Sequence, residues 1–469
     1  MKGSDPHHNH GQGHLALVHT ESHLSVEAAP YVRNPSPAEA AAEAAIPETE
    51  AEKGISHASD EDVKELESAQ FVEPGWEGWL NVVGSVAINM ICYGMTQSFG
   101  VFQQYYEKEL LPGESAMAIS WVGAINSALC PMLGCISGPL FDSGYLKHLL
   151  VAGGGLYVLG LMMASISNEY YQILLAHGIC VGIGMGTMFS PSVATLSHHF
   201  ARSRHRNLVF GFQACGSAVA GIYLPIMLNY MMPAIGFGWT MRVLGFMVLV
   251  FTTIGFFSLS TTVPPRKKLA ILSPEVYRNR PYSVFLTGAC FASLAIYSPF
   301  TFGVTYATSR GVPLGIANYA PAISNGVSII GRIVPLILAR RTGPLNVLMV
   351  CAVMSGVSQM FWTLSTSTAG ILTYLGMYGM VSGGYGASLN PSAASFAPHV
   401  NQAGLYLGMC FFTTSWSWLA GAPIIATLID HYPSYLPASL FGGCVLITGA
   451  AFIILSRFMR AKQVGSPWV

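Results

Sequence analysis

Apolar residues in this chain neither alternate nor keep to one helical face. They run unbroken for about 20 residues at a time, the length at which a helix crosses the ~30 Å hydrocarbon core of a bilayer. Twelve such runs follow residue 78: 79–101, 116–140, 148–166, 170–196, 208–232 and 239–259, then 282–306, 316–338, 344–364, 369–396, 404–429 and 436–458. Long, continuously apolar runs predict helices, because the strands of a membrane barrel alternate apolar and polar positions over about ten residues. The expected fold is therefore all-α: twelve transmembrane helices. Residues 1–77 form an acidic tail before them and 461–469 a short C-terminus after them.

Charge sharpens this division. Residues 1–77 hold 15 acids and 4 bases, whereas the remaining 392 residues hold 7 acids and 18 bases. A body so poor in charge does not cover a soluble protein with solvated side chains, which excludes a soluble enzyme and a nucleic-acid-binding domain. The tail has low hydrophobicity and net negative charge, the composition of a disordered segment. Asp60–Ser68 could form a short acidic helix, and no secretory signal peptide is expected, because the charged n-region and apolar h-region are missing. His7, His8, His10 and His14 offer metal ligands, although a solvated tail explains them better. With the tail in the cytoplasm, inside segments carry 14 Lys and Arg and outside loops two, Lys108 and Arg310. That asymmetry predicts cytoplasmic termini.

An internal repeat divides the twelve helices in two. Gly184, Gly186, Pro191, Ser192, Ala194 and His199 recur 200 residues later as Gly384, Gly386, Pro391, Ser392, Ala394 and His399, and Ala220-Gly221 as Ala420-Gly421. Six spans separate the copies, so two similarly oriented six-helix halves are expected, 78–260 and 282–460, joined by a cytoplasmic linker at 261–281. Parallel repeats of this kind build secondary transporters with a substrate site between the halves near the midplane. Glycines at helical spacing let backbones approach where no hydrophobic force drives helices together. Pro191 and Pro391 bend matching helices, which makes them gating candidates.

These features resemble the major facilitator superfamily and, within it, the fungal monocarboxylate-porter-like group, over about residues 73–460. The opening Glu73-Pro74-Gly75-Trp76-Glu77-Gly78-Trp79 is similar to that group's entry segment, with Pro74 in place of a glycine. Gly138-Pro139-Leu140-Phe141-Asp142-Ser143-Gly144 resembles the loop motif between helices two and three, one residue short and without the usual Arg after the Asp. Its second-half counterpart, residues 338–343, has Arg340 where an acid is usual. Phe189-Ser190-Pro191-Ser192 and Ser324-Asn325 with Gly331-Arg332 also match the group's patterns. The resemblance implies gating roles for Gly138, Asp142 and Arg340. It also aligns Tyr93 and Gln97 with a tyrosine and a lysine of monocarboxylate transporters, and Ser328 with an acid. The arginine of that set is present as Arg332, while the lysine and acid are absent.

Apart from Arg457 at the very end of the last run, only two charges fall inside the spans, Arg242 and Arg332, and intramembrane charge is costly enough to make each a functional candidate. Arg332 lies deeper, and a guanidinium there can hold a carboxylate through two parallel hydrogen bonds. No acid lies within any span to neutralise it. Arg242, near the outer interface, reads better as a snorkelling side chain. Asn126, Gln213, Asn325, Tyr297, Tyr385, Asn390 and Trp416 complete the expected cavity lining. His177, the one histidine well inside a span, is the candidate for proton coupling.

The expectation is a transporter moving an organic monocarboxylate, or a larger metabolite bearing one, by alternating access. The alternatives are an exporter of a secondary metabolite or drug-like compound and, more remotely, a nutrient sensor that keeps the fold. No ATP-binding loop, metal-ligand spacing or nucleophile–base constellation appears, so neither cofactor nor enzymatic activity is expected. The partners implied are the bilayer, of the plasma membrane first and the vacuole second, and a small organic anion met by a monomer.

Overall fold

The computed structural model describes residues 74–201, 203–262, 274–399, 402–432 and 434–467. The metal-ligand and helix expectations for the tail, and most of the interdomain linker, lie outside the described residues. The runs read as spans become helices α1 (Trp76–Gln97), α2 (Met117–Asp142), α3 (Leu146–Ala164), α4 (Tyr170–His199) and α7 (Arg280–Ser309). They continue with α8 (Gly315–Thr342), α9 (Pro344–Met360), α10 (Thr368–Ala394), α11 (Ala403–His431) and α12 (Leu436–Val464). Helices α5 and α6 are the two limbs, 206–235 and 237–258, of one 53-residue helical stretch, Arg206–Ser258. The connection expected between them shrinks to Gly236, whose φ of 77° is open to glycine and strained for other residues. Two further departures are π-helical turns. Tyr106–Leu110 extends the first span beyond its expected end, and Leu174–Cys180 interrupts α4 around His177.

Successive helices cross in opposite directions. The face on which α1 begins is termed proximal here and the opposite face distal. Each half packs alike: α1 lies against α5 and the sixth helix's stretch as α7 lies against α11 and α12, α4 against α3 and α2 as α10 against α9 and α8. The repeat shows in the contacts to within one residue. Gly94 on α1 faces Ala220 on α5, and Leu294 on α7 faces Gly421 on α11. In both pairs the missing side chain of a glycine lets the two helices approach closely, the packing a bilayer favours. Pro191 and Pro391 sit inside α4 and α10, which run on to His199 and Ala394.

The halves meet along two seams, α2 with α11 and α5 with α8. At the first, Gly134 and Gly138 on α2 meet Gly408 and Gly404 on α11 with no room for a Cβ. Asp142, at the proximal end of α2, accepts hydrogen bonds from the backbone N–H groups of Gly404 (3.2 Å) and Leu405 (2.8 Å). The carboxylate of one half thus caps the N-terminus of a helix in the other. At the second seam a Cβ on Gly211 would lie 2.7 Å from the carbonyl oxygen of Arg332.

Candidate functional site

Between the halves lies a small cavity of about 80 Å³, lined from α1, α2, α4 and α5 on one side and α7, α8, α10 and α11 on the other. Aromatic rings dominate it. Tyr93 on α1 packs edge-on against Phe189 on α4 (4.7 Å between centroids) and against Trp418 on α11 (5.9 Å). Trp418 reaches Tyr297 on α7 at 4.4 Å, and Phe189 reaches Phe411 on α11 at 5.1 Å. This chain of rings joins the two halves across the cavity.

Among the described residues, Arg332 is the one charged residue in the lining, which contains no acid. It stands on α8 with 7% of its surface exposed and reaches across the second seam. Its Nη1 donates to the carbonyl oxygen of Ala214 and to Ser217 Oγ (2.5 Å), both on α5. Its Nε and Nη2 form no hydrogen bond with described residues, and an edge of this kind is one through which a guanidinium can hold a carboxylate. Gln213 brings a second unmet donor: its buried Nε2 has no partner among the described residues. A buried polar atom without a partner in the wall of a cavity is one that a ligand can satisfy. Asn89, Asn390 and Tyr385 add further polar groups.

The expected lining residues divide. Arg332, Tyr93, Tyr297, Tyr385, Asn390 and Gln213 all line the cavity. Gln97, Asn325 and Asn126 do not, because each amide is turned to a backbone carbonyl within hydrogen-bonding reach. Gln97 donates to Ser217 O (3.1 Å), Asn325 to Pro321 O (3.0 Å) and Asn126 to His177 O (2.8 Å). Trp416 is 55% exposed on the outer, lipid-facing side of α11. His177 is fully buried outside the cavity: its Nδ1 bonds the hydroxyl of Tyr106 (2.7 Å), and Phe102 lies edge-on 4.9 Å away. Arg242 is tied to Ser165 Oγ (3.3 Å) and lies over the Trp239 ring at 4.9 Å. Of the gating candidates, Gly138 and Asp142 lie in the first seam, whereas Arg340 is exposed in the last turn of α8.

Trp418, Phe189, Phe411, Phe300, Asn89 and Ser217 escaped the sequence reading as lining residues. A signal for some of them was present. Applied to the cavity, the 200-residue offset pairs Tyr93 with Ser293, Phe189 with Leu389 and Ala214 with Thr414, and all six line it.

Comparison with known proteins follows the same outline. The family model of the Major Facilitator Superfamily matches residues 78–422. The chain is 31% identical over 390 residues to the MFS transporter asaE of Aspergillus flavus, covering 82% of this chain and 88% of that one. It is 30% identical over 404 residues to the aspyridones efflux protein apdF of Emericella nidulans (86% and 82% covered). It is also 34% identical over 397 residues to the agnestins efflux protein AgnL12 of Paecilomyces divaricatus (81% and 87%).

Proposed function

From the premise that this chain belongs to the Major Facilitator Superfamily and is a multi-pass membrane transporter, we propose that it exports a bulky, amphiphilic organic anion. The substrate is a metabolite with a large apolar, ring-bearing body and one carboxylate or comparably acidic group. The observation that carries this reading is the lining of the cavity: walls of Tyr93, Phe189, Tyr297, Phe411 and Trp418, with Arg332 as its charge. Stacking surfaces hold the body, and the free edge of the guanidinium holds the acid. Export is favoured because two of the relatives are named as efflux proteins, for aspyridones and for agnestins. Both termini are placed in the cytoplasm, so the proximal face is the cytoplasmic one, on the strength of the 14 inside cations against two outside.

A small-monocarboxylate porter is the second reading, supported by Tyr93 and Arg332 meeting in one cavity. Against it, Gln97 stands where such porters have a lysine and is bonded to Ser217 O. Ser328 stands where they have an acid and donates to Asn325 O (2.7 Å).

The test uses purified protein, 2-naphthoate as an amphiphilic anion, its uncharged methyl ester, and equilibrium dialysis. Wild type binds the acid better than the ester. Arg332→Ala weakens the acid by roughly 30-fold or more, about 2 kcal/mol, and leaves the ester unchanged. Arg332→Lys falls between, because it keeps the charge and loses the fork. Equal loss for acid and ester would overturn the reading. A proteoliposome assay in which acetate or lactate competes as well as 2-naphthoate would favour the small-monocarboxylate porter instead.

A further inference from the structure

We propose that Ser217 is a positioning residue that makes anion binding at Arg332 depend on closure of the seam between α5 and α8, and that a bound anion therefore holds that seam closed. The inference rests on the reading of the cavity as an anion site and adds a coupling between that site and the relative position of the halves.

Its first support is that Arg332 and its anchors belong to different halves. The side chain leaves α8 and is held by Ala214 O and Ser217 Oγ on α5. The Ser217 hydroxyl proton is already committed, since Oγ donates to Ala214 O at 3.0 Å. The oxygen therefore meets the guanidinium with its lone pairs and acts as an acceptor. The serine is itself braced from behind, because Gln97 on α1 donates to its carbonyl oxygen at 3.1 Å. One corner of the guanidinium is thus fixed, which leaves the Nε–Nη2 edge for a ligand in the cavity.

The second support is the shape of the seam. Several residues facing α8 along α5 are small, among them Gly211, Cys215 and Gly221. Gly211 leaves no room for a Cβ beside Arg332 O. Further along, Asn325 Nδ2 on α8 reaches Gly221 O at 3.5 Å. When the helices separate, the anchors of Arg332 go with α5 while the arginine stays with α8. The fork loses its orientation and gains freedom, and both changes weaken the grip on a planar anion. Binding linkage is reciprocal: if closing the seam raises affinity by some factor, the anion favours closure by the same factor. An uncharged ligand of the same shape has no such differential contact and shifts nothing through this route.

Cys215, half-buried on α5 with Sγ 4.0 Å from Ile329 O on α8, is a native reporter of the seam, read against the same residue in ligand-free protein. Full-length protein in nanodiscs is treated with N-ethylmaleimide, and modification of each cysteine is followed by peptide mass spectrometry. Binding of 2-naphthoate and of its methyl ester is measured in parallel. In wild type the acid slows modification of Cys215 several-fold and the ester does not. Ser217→Ala weakens the acid about tenfold, leaves the ester unchanged and abolishes protection of Cys215 by the acid. Ser217→Thr, which keeps the hydroxyl, restores both. If Ser217→Ala binds the acid as wild type does and still protects Cys215, or if acid and ester weaken together, the positioning role is overturned and the anion site stands. If wild type shows no preference for acid over ester, the anion site itself is overturned, and this inference with it.

Discussion

Replacing Asp142 by asparagine changes a single atom of the α2–α11 seam and should alter how long the proximal side stays shut. The carboxylate is 4% exposed and accepts from Gly404 N at 3.2 Å and Leu405 N at 2.8 Å, the free N–H groups that open the 29-residue α11. Asparagine keeps one acceptor oxygen, turns the other into a donor facing an N–H, and removes the charge that complements the helix N-terminus. Loss of one charge-assisted bond costs about 1.5–3 kcal/mol, and loss of the favourable interaction with the helix dipole a further ~0.3–1 kcal/mol. Because the bonds join the two halves, most of this cost falls on the closed state. The equilibrium between closed and open proximal seams should therefore move by about 2–3 kcal/mol, roughly 30- to 150-fold. Cys135 reads the change: it is 4% exposed, beside Gly134 and Gly408 where the seam is tightest. Its modification by N-ethylmaleimide should accelerate strongly in Asp142→Asn relative to wild type. Asp142→Glu, one methylene too long for a contact this close, should accelerate it less. Unchanged modification of Cys135 in correctly folded Asp142→Asn would show that the cap does not hold the halves together, and the argument from its two hydrogen bonds would fail.

Substitutions elsewhere in the molecule have equally specific expected outcomes. Trp418→Ala should weaken 2-naphthoate and its methyl ester alike by roughly tenfold, since it removes a stacking wall and no charge, whereas Trp416→Ala should leave both dissociation constants unchanged. Asn126→Ala should lower stability by about 1–3 kcal/mol in a detergent unfolding assay, because it strips His177 O of its 2.8 Å donor, and should leave probe affinity intact. Gly331→Ala should sharply reduce the yield of monodisperse protein, because its Cβ would collide with Met380 O where α8 meets α10; overpacking of this kind costs about 1–3 kcal/mol or more.

The helical plan was written in the linear order of residues. Span length is a local property set by bilayer thickness, so twelve apolar runs could be counted without knowledge of any contact. The pairing of halves was equally legible, because a repeat preserves its offset: Gly184 and Gly384 mark equivalent helices whatever surrounds them. Arg332 was legible for a similar reason. A lone charge in hydrocarbon demands an explanation wherever its helix turns. That α5 and α6 join at a kink of a single residue was not legible, since it depends on Gly236 adopting a positive φ beside Gly238 and Pro233, which look equally apt in sequence.

Tertiary structure alone decided which way each polar or aromatic group faces. Trp416 and Trp418 are two residues apart, hence about 200° apart around α11; one is exposed to lipid and the other walls the cavity. Asn126 and Gln213 are both mid-span amides, equal candidates as letters. A neighbouring carbonyl takes up the first, and the second is left with an unmatched donor in the cavity wall. His177 likewise draws its partner from Tyr106, 71 residues earlier. Composition and periodicity carry what a residue is and how far it stands from the next. The rotation of each helix, and so the difference between an anchor and a site, is set only when neighbouring helices pack and the backbone carbonyls of one become the partners of another.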